Sequence, residues 1–498
     1  MKLAWLLVLL PTALGRIVSR DSASSTCKHL EATYPDLTFF PLSPGYIKAN
    51  TDFYTSSAWL GPACVFQPTD SRHLADAVLL LKNTSTPFAI RGGGHMPIAN
   101  AANINSSGVL LSSFGLSQLK VSDDHSTVHV GPGNRWADVY KYLEPYGLSV
   151  VGGRLGVVGV PGYILGGGVA FFSNEYGWAS ANVVRFTGVL ADGRVVTAKP
   201  NNEHADLFWA LRGGGNSFAL ATDFELKTLR VPKVTVGMAN YGFGVGEQFI
   251  RSVHDFATAG TKDPKAAVIP MAEYLPETGT VSYSAILFYN GNNATPAALQ
   301  SFQKPTLTPL TNTFRYRSMN QWSQELDGAV GLLKGSRQRF YVLNIHASRK
   351  ETIATVHDTF VEVAKTSLPI GVVVAAMAFP QVAEQYIHAS TVNGGDPQDL
   401  DPDGAPYIWV EESITALAAV RDEDIDAFYT KVNGEIRQKL LADGVKLPEY
   451  TYLNDANPAQ DSFGTFPPDN LARLRKIRAR YDPDRVFTDL MPGGWKVS

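Results

Sequence analysis

Phe88-Ala89-Ile90-Arg91-Gly92-Gly93-Gly94-His95 is the stretch that decides the fold. A short apolar strand runs into three glycines and then a histidine. A glycine triplet costs backbone entropy and adds no side-chain packing, so it is kept where the backbone must approach something closely. Two further triplets follow, Gly166-Gly167-Gly168 and Gly213-Gly214-Gly215, each beside the end of a predicted strand or helix. Consecutive amides in such loops form anion-binding nests. A dinucleotide pyrophosphate is the ligand three such loops suit; flexible surface loops are the alternative.

The elements around these loops are short and alternate. Residues 74–81 have helical apolar spacing, Val109-Leu110-Leu111 reads as a strand, and residues 127–130 alternate as a strand that stops at Gly131-Pro132-Gly133. Asn134 is expected to cap a helix carrying Trp136, Val139, Tyr140 and Leu143. Asp192-Gly193 joins strands 183–190 and 194–197 as a hairpin. No strand–Gly-x-Gly-x-x-Gly–helix unit with a downstream acid occurs, and no Gly-x-x-x-x-Gly-Lys-Ser/Thr loop. This argues against a nicotinamide-only dehydrogenase and against an ATPase.

Near Val231-Pro232 the texture changes. Glycine thins out, strands are expected over 281–288 and 340–345, and a helix over 422–441. The expected division is a segment at 16–57, a glycine-loop domain at 58–234, a second domain at 235–446 and a terminal segment at 447–498. In that segment a helix over 469–481 is basic, but Leu471, Leu474 and Ile477 have amphipathic spacing, so its arginines read as a solvated face.

The bulk numbers set outer bounds. At 498 residues the chain exceeds one ordinary core. A formal net charge of −3 supplies no basic field for nucleic acid or an anionic membrane. Lys2, the apolar run from Leu3 to Leu10 and Ala13-Leu14-Gly15 read as a secretory signal over residues 1–15, with a buried helix as the alternative. The run is too short to span a bilayer. Cys27 and Cys64 are the only cysteines. An even count in a secreted chain points to a disulfide, with two free buried thiols as the alternative. Neither belongs to a zinc-ligand pattern, so no metal is expected. Asn83-Thr84-Ser85, Asn105-Ser106-Ser107 and Asn293-Ala294-Thr295 have the form of glycosylation sites.

Taken in order, these motifs resemble the FAD-linked oxidases of the vanillyl-alcohol-oxidase superfamily, with the FAD-binding domain also found in p-cresol methylhydroxylase. Ile90 to His95 resembles the flavin-attachment loop, and Val130-Gly131-Pro132-Gly133 with Trp136 the next turn and helix. Residues 159–168 resemble the second cofactor loop, and residues 206–215 a further signature. Tyr452-Leu453-Asn454 and Tyr481-Asp482-Pro483 are similar to the C-terminal part of the berberine-bridge-enzyme-like branch. The resemblance implies an α+β chain: a two-subdomain FAD-binding domain, a substrate domain with a large antiparallel sheet backed by helices, and a terminal segment that returns to close the site.

What the resemblance implies for chemistry can be stated residue by residue. Arg91, Gly92, Gly93, Gly94, His95, Gly156, Gly159, Val160, Gly162, Gly166, Gly167, Gly168 and Asn454 are expected to hold FAD. His95 would bond to the flavin 8α-methyl. Leu155 stands where many relatives carry a second tethering cysteine, so attachment through His95 alone is expected. Pro161-Gly162-Tyr163 replaces a Gly-Gly-His found in relatives, and proline removes an amide donor. Tyr452 is the first choice for a base or substrate orienter, although a free phenol titrates near pH 10 and would need help. Tyr450 and Asn454 share its face if the segment is a strand. Glu411 alternates with Tyr407 and Trp409 in a predicted strand over 406–412 and is a further candidate base; packing of a half-exposed sheet face suits the same pattern. The expected reaction is oxidation of a small natural product by hydride transfer to flavin N5, with dioxygen as acceptor and hydrogen peroxide as product, in a secreted monomer. The alternatives are a flavin-dependent oxidative or pericyclic cyclase, a carbohydrate oxidase, and a non-catalytic flavin-binding protein.

Overall fold

The computed structural model describes residues 20–498. The expected signal segment at 1–15 lies outside the described residues. Among the described residues the strands form three sheets, of four, six and nine strands. In the smallest, Cys64–Phe66 and Phe88–Arg91 run parallel to Val109–Ser112 on either side of it. Helix Ser71–Asn83 lies against it; Asp70 caps this helix by accepting from the amides of Arg72 and His73. Cys27 and Cys64 are disulfide-bonded, joining the helix Arg20–Thr33 to this sheet.

The six-stranded sheet is centred on Leu220–Leu229, which pairs antiparallel with Val183–Val189 and with Thr127–Val130. The helix after the Gly131-Pro132-Gly133 turn begins at Trp136, one residue later than expected. Arg135 is its N-cap, and the Asn134 amide donates back to the Gly131 carbonyl to fasten the turn instead.

The nine-stranded sheet is antiparallel. Its main strands lie in the order Val234–Phe243, Thr280–Tyr289, Ala266–Leu275, Val372–Ala378, Tyr407–Ala416 and Arg337–His346. Alternate side chains face opposite ways along a strand. From Tyr407–Ala416, Ile408, Val410 and Ile414 enter a core shared with helices Gly246–Thr258, Lys350–Ser367 and Asp422–Ala442. Trp409, Glu411 and Ser413 therefore point to the helix-free face, toward the glycine loops. Phe171, just past the second glycine loop, stacks flat on Phe288 of that face with centroids 4.9 Å apart. The end of the chain crosses back: Leu474, Ile477 and Tyr481 of helix Pro468–Tyr481 are buried in the core of the six-stranded sheet. Among the described residues no helix is long and apolar enough to cross a membrane.

Candidate active site

A cavity of about 330 Å³ opens where the glycine loops, the helix-free sheet face and the end of the chain meet. Its first wall is backbone. Gly92 lies against Pro161 and Gly93 against Gly159, and Gly94 and Gly162 line the same cavity. A Cβ built on Gly93 would fall 2.4 Å from the Gly159 Cα, and one on Gly159 would fall 2.3 Å from the Gly93 nitrogen. The two loops thus touch main chain to main chain, which only glycine permits.

His95 follows directly and lines the cavity, its ring stacked on Tyr54 with centroids 4.2 Å apart. Burial, and then the nearby Arg135 guanidinium, lower its pKa to about 3, so the imidazole is neutral at physiological pH. Arg135 is held by the Gly93 carbonyl and by Asp52, which also pairs with Arg91 and Lys334. Burial pushes the Asp52 carboxyl up, but Arg135, Lys334 and Arg91 together hold it below its ordinary range.

Arg91 departs from the expectation of cofactor contact. Its guanidinium is sandwiched between the rings of Phe53 and Phe114, 4.4 and 4.3 Å from their centroids, and donates to the Ala49 carbonyl. Because strand residues alternate sides and Asp52 sits behind the loop, the side chain turns away from the cavity and braces the loop from the rear.

The other expected glycines divide. Gly159, Gly162 and Gly166 line the cavity, and Gly166 leaves room for Asn454, whose Oδ1 lies 2.1 Å from where a Cβ would be. Gly156, Val160, Gly167 and Gly168 are not on its wall. Gly156 packs against Ser323 and Asp327 of helix Met319–Gly331, and Val160 is buried in the core. Gly167 and Gly168, at φ of +101° and +85°, form the turn that sets Trp178 and Ala179 beside the loop. Their role is to shape the loop rather than to face the cavity.

The terminal segment brings Tyr452, Asn454 and Asp455 to the same cavity, with Asn454 seated against Gly166 and donating to the Tyr163 carbonyl. It is not a strand. The amide of Thr451 donates to the Thr465 hydroxyl and the carbonyl of Tyr450 accepts from the Asn344 side chain, so its backbone groups are satisfied by side chains instead of a ladder. The alternation expected from a strand is therefore absent, and Tyr450 leaves the group. It packs on Trp409 and Phe466, and its hydroxyl accepts from the Gln398 amide outside the cavity. Tyr452 stacks on Trp409 and Trp178, with centroids 5.0 and 5.6 Å away, and its hydroxyl accepts from the Asn454 amide at 3.0 Å. Burial and then the Asp455 charge raise its pKa, so the phenol stays protonated.

Glu411 and Ser413 reach the cavity from the sheet, with Phe340 from the neighbouring strand. Burial pushes the Glu411 carboxyl up against the pull of Arg154. Asp455 is pushed well above the carboxylate range by burial and then by Glu411, again against Arg154. Arg154 and Asp455 were not legible in the sequence; the one available signal was a charge beside Gly152-Gly153 and another after Tyr452-Leu453-Asn454. Leu155 also lines the cavity and offers no thiol. Among the described residues no group of three or more His, Cys, Asp or Glu side chains is placed to hold a metal ion.

A polar cofactor that meets main chain fits this lining, because Gly215, Ala219 and Ala221 add further small residues to those of the glycine loops. The comparisons agree. Residues 62–199 match the FAD binding domain family, and residues 452–489 match the berberine and berberine-like family. The FAD-dependent monooxygenase prx3 of Penicillium roqueforti is 34% identical over 490 residues, covering 95% of this chain and 94% of its own. The bifunctional solanapyrone synthase of Alternaria solani is 29% identical over 480 residues, 95% of this chain and 88% of its own. In fold the chain is similar to the glucooligosaccharide oxidase of Acremonium strictum, which carries a 6-S-cysteinyl, 8α-N1-histidyl FAD. The TM-score is 0.72 at 18% identity, over 93% of this chain and 97% of that one. With matches to both families and a relative this similar end to end, the chain belongs to the berberine-like family of FAD-dependent oxidoreductases.

Proposed function

We propose that this protein is a secreted oxidase of a small natural product, dehydrogenating an alcohol, an amine or a C–C bond. FAD, when bound, supplies the hydride acceptor and passes the electrons to dioxygen, giving hydrogen peroxide. The observation that carries the reading is that the glycine backbones, a neutral His95 and the half-buried Glu411 open into one cavity. A neutral imidazole has the free lone pair that bonding to the flavin 8α-methyl requires. With Leu155 on the wall and Cys27 bonded to Cys64, His95 is the single tether. Glu411 takes the substrate proton, since burial makes its carboxylate a stronger base. Tyr452 keeps its own proton and orients the substrate through its hydroxyl. Secretion is supported by the signal pattern at 1–15, the disulfide and the exposure of Asn83, Asn105 and Asn293.

Acid precipitation of the purified protein tests the tether: yellow colour is expected in the pellet and is expected to leave it in His95→Ala. Peroxide release matched to oxygen uptake tests the oxidase. A second reading draws on the monooxygenase and solanapyrone synthase relatives. Oxygen-18 from dioxygen entering the product would favour a monooxygenase, and redox-neutral anaerobic turnover would favour a cyclase.

A further inference from the structure

Asn105 is exposed at the tip of the loop that leads into strand Val109–Ser112, and it heads the tripeptide Asn105-Ser106-Ser107. Its side-chain oxygen accepts from the Ser107 amide at 3.0 Å and from the Ser107 hydroxyl at 2.6 Å. Among the described residues its side-chain nitrogen donates to no protein group. The loop is pinned on either side of this tip. Buried Asn103 donates to the Ala58 carbonyl at 2.6 Å and to the Asn50 side chain at 3.1 Å, and the Gly108 carbonyl accepts from the Ala63 amide at 2.9 Å. Residues 105–107 therefore stand out between two anchors, as exposed loop tips that tolerate modification do.

The other two tripeptides of this form are built differently. Asn83 ends helix Ser71–Asn83, and Ser85 follows in the left-handed region at φ +49°. Between them the Thr84 hydroxyl accepts from Thr26 at 3.0 Å and donates to the Leu80 carbonyl at 2.8 Å, which fixes the middle residue. Asn293 is exposed and accepts from the Thr295 amide at 3.0 Å, but not from its hydroxyl. Gln303 holds the Ala294 carbonyl at 3.1 Å, and the buried Pro296 confines Thr295 to extended backbone. Of the three, only Asn105 has its carboxamide and the hydroxyl two residues on in contact. That contact is local, so it needs no tertiary structure and forms on the nascent chain as well as on the folded one. We propose that Asn105 is the one of the three that carries an N-linked glycan. The donor is an oligosaccharide joined to a lipid through a diphosphate. A bond forms between Asn105 Nδ2 and the sugar C1, and the bond from C1 to the diphosphate oxygen breaks, its electron pair leaving with the diphosphate. One amide proton goes to a base of the transferring enzyme, and nothing is oxidised or reduced.

The proposal rests on the secretion reading and deepens it. The full chain is expressed in a eukaryotic secretory host, and protein from the medium is treated with peptide N-glycosidase F in oxygen-18 water. The enzyme turns each glycosylated asparagine into labelled aspartate, which peptide mass spectrometry locates. Label is expected at Asn105 and not at Asn83 or Asn293. The gel shift on deglycosylation is expected to be lost in Asn105→Gln and in Ser107→Ala, and kept in Ser107→Thr and in the pair Asn83→Gln with Asn293→Gln. Because the tip lies outside its anchors, Asn105→Gln is expected to keep wild-type acid-stable flavin, which shows that it folds. Unlabelled Asn105 in protein from the medium, or label at Asn83 or Asn293 at the level of Asn105 or above, would overturn the proposal. A chain retained in the cell would sink the secretion reading instead. The same chain is then given the leader of a secreted protein ahead of Arg16. Label at Asn105 in that product upholds the proposal, and its absence overturns it.

Discussion

Replacing Gly93 by alanine puts a methyl carbon 2.4 Å from the Gly159 Cα and 2.5 Å from its nitrogen. Carbon atoms in contact normally sit about 3.5–4.0 Å apart, so the two loops must separate by about 1 Å or more. The obstacle is main chain on both sides, with no flexible side-chain end to swing away. Overpacking of this kind costs about 1–3 kcal/mol. The displaced loop also carries His95, and a shift of about 1 Å in a reacting group costs on the order of a hundredfold in rate. Gly93→Ala is therefore expected to lower the urea midpoint at unchanged slope and to slow the appearance of acid-stable flavin on adding FAD to apoprotein by about that factor. Gly434→Ala provides the control. Gly434 lies inside helix Asp422–Ala442 with open space around a new Cβ, so alanine there is expected to stabilise by about 0.5–1 kcal/mol and leave flavin uptake alone. A Gly93→Ala protein with wild-type stability and wild-type flavin uptake would refute the claim that backbone contact between the two loops positions His95.

Two further outcomes follow from side chains away from the cavity. Glu412, on the opposite face of its strand from Glu411, is buried against Asn433, and burial pushes its carboxyl from 4.5 up to about 8. The folded state then holds a proton that the unfolded chain has released, so stability falls as pH rises from about 4.5 to about 8, by up to about 1.4 kcal/mol per unit. Glu412→Gln is expected to flatten the stability profile across that window; an unchanged slope in urea titrations would contradict it. Arg91→Met removes the cation between Phe53 and Phe114 while Asp52 keeps Arg135 and Lys334, so a loss of about 2–3 kcal/mol is expected in denaturant unfolding, below that of a fully orphaned buried charge.

Much of the site was legible where the requirement is local. Gly92, Gly93 and Gly94 announced a close backbone approach, and His95 lies where the loop must deliver it. Glu411 was legible because period-two alternation ties it to Trp409 on one sheet face. The differences share a cause. Arg91 belongs to the motif that resembles a flavin loop, yet Phe53, Phe114 and Asp52 hold its side chain from behind. The spacing of Tyr450 and Tyr452 suits a strand, but side chains supply the hydrogen bonds of that segment instead. Gly167 and Gly168 have the backbone freedom expected of them, but it is used in a turn.

By itself the sequence determined the cofactor class, the order of the elements and the loops where only glycine would serve. Such requirements are properties of the backbone at one place and leave a local trace. Only the tertiary structure decided that Arg154, Glu411 and Asp455 line one cavity, and that Tyr452 stays protonated there. Buried charge has no local signature: whether a carboxyl keeps its proton depends on which distant groups displace its water and which charges face it once the chain has closed.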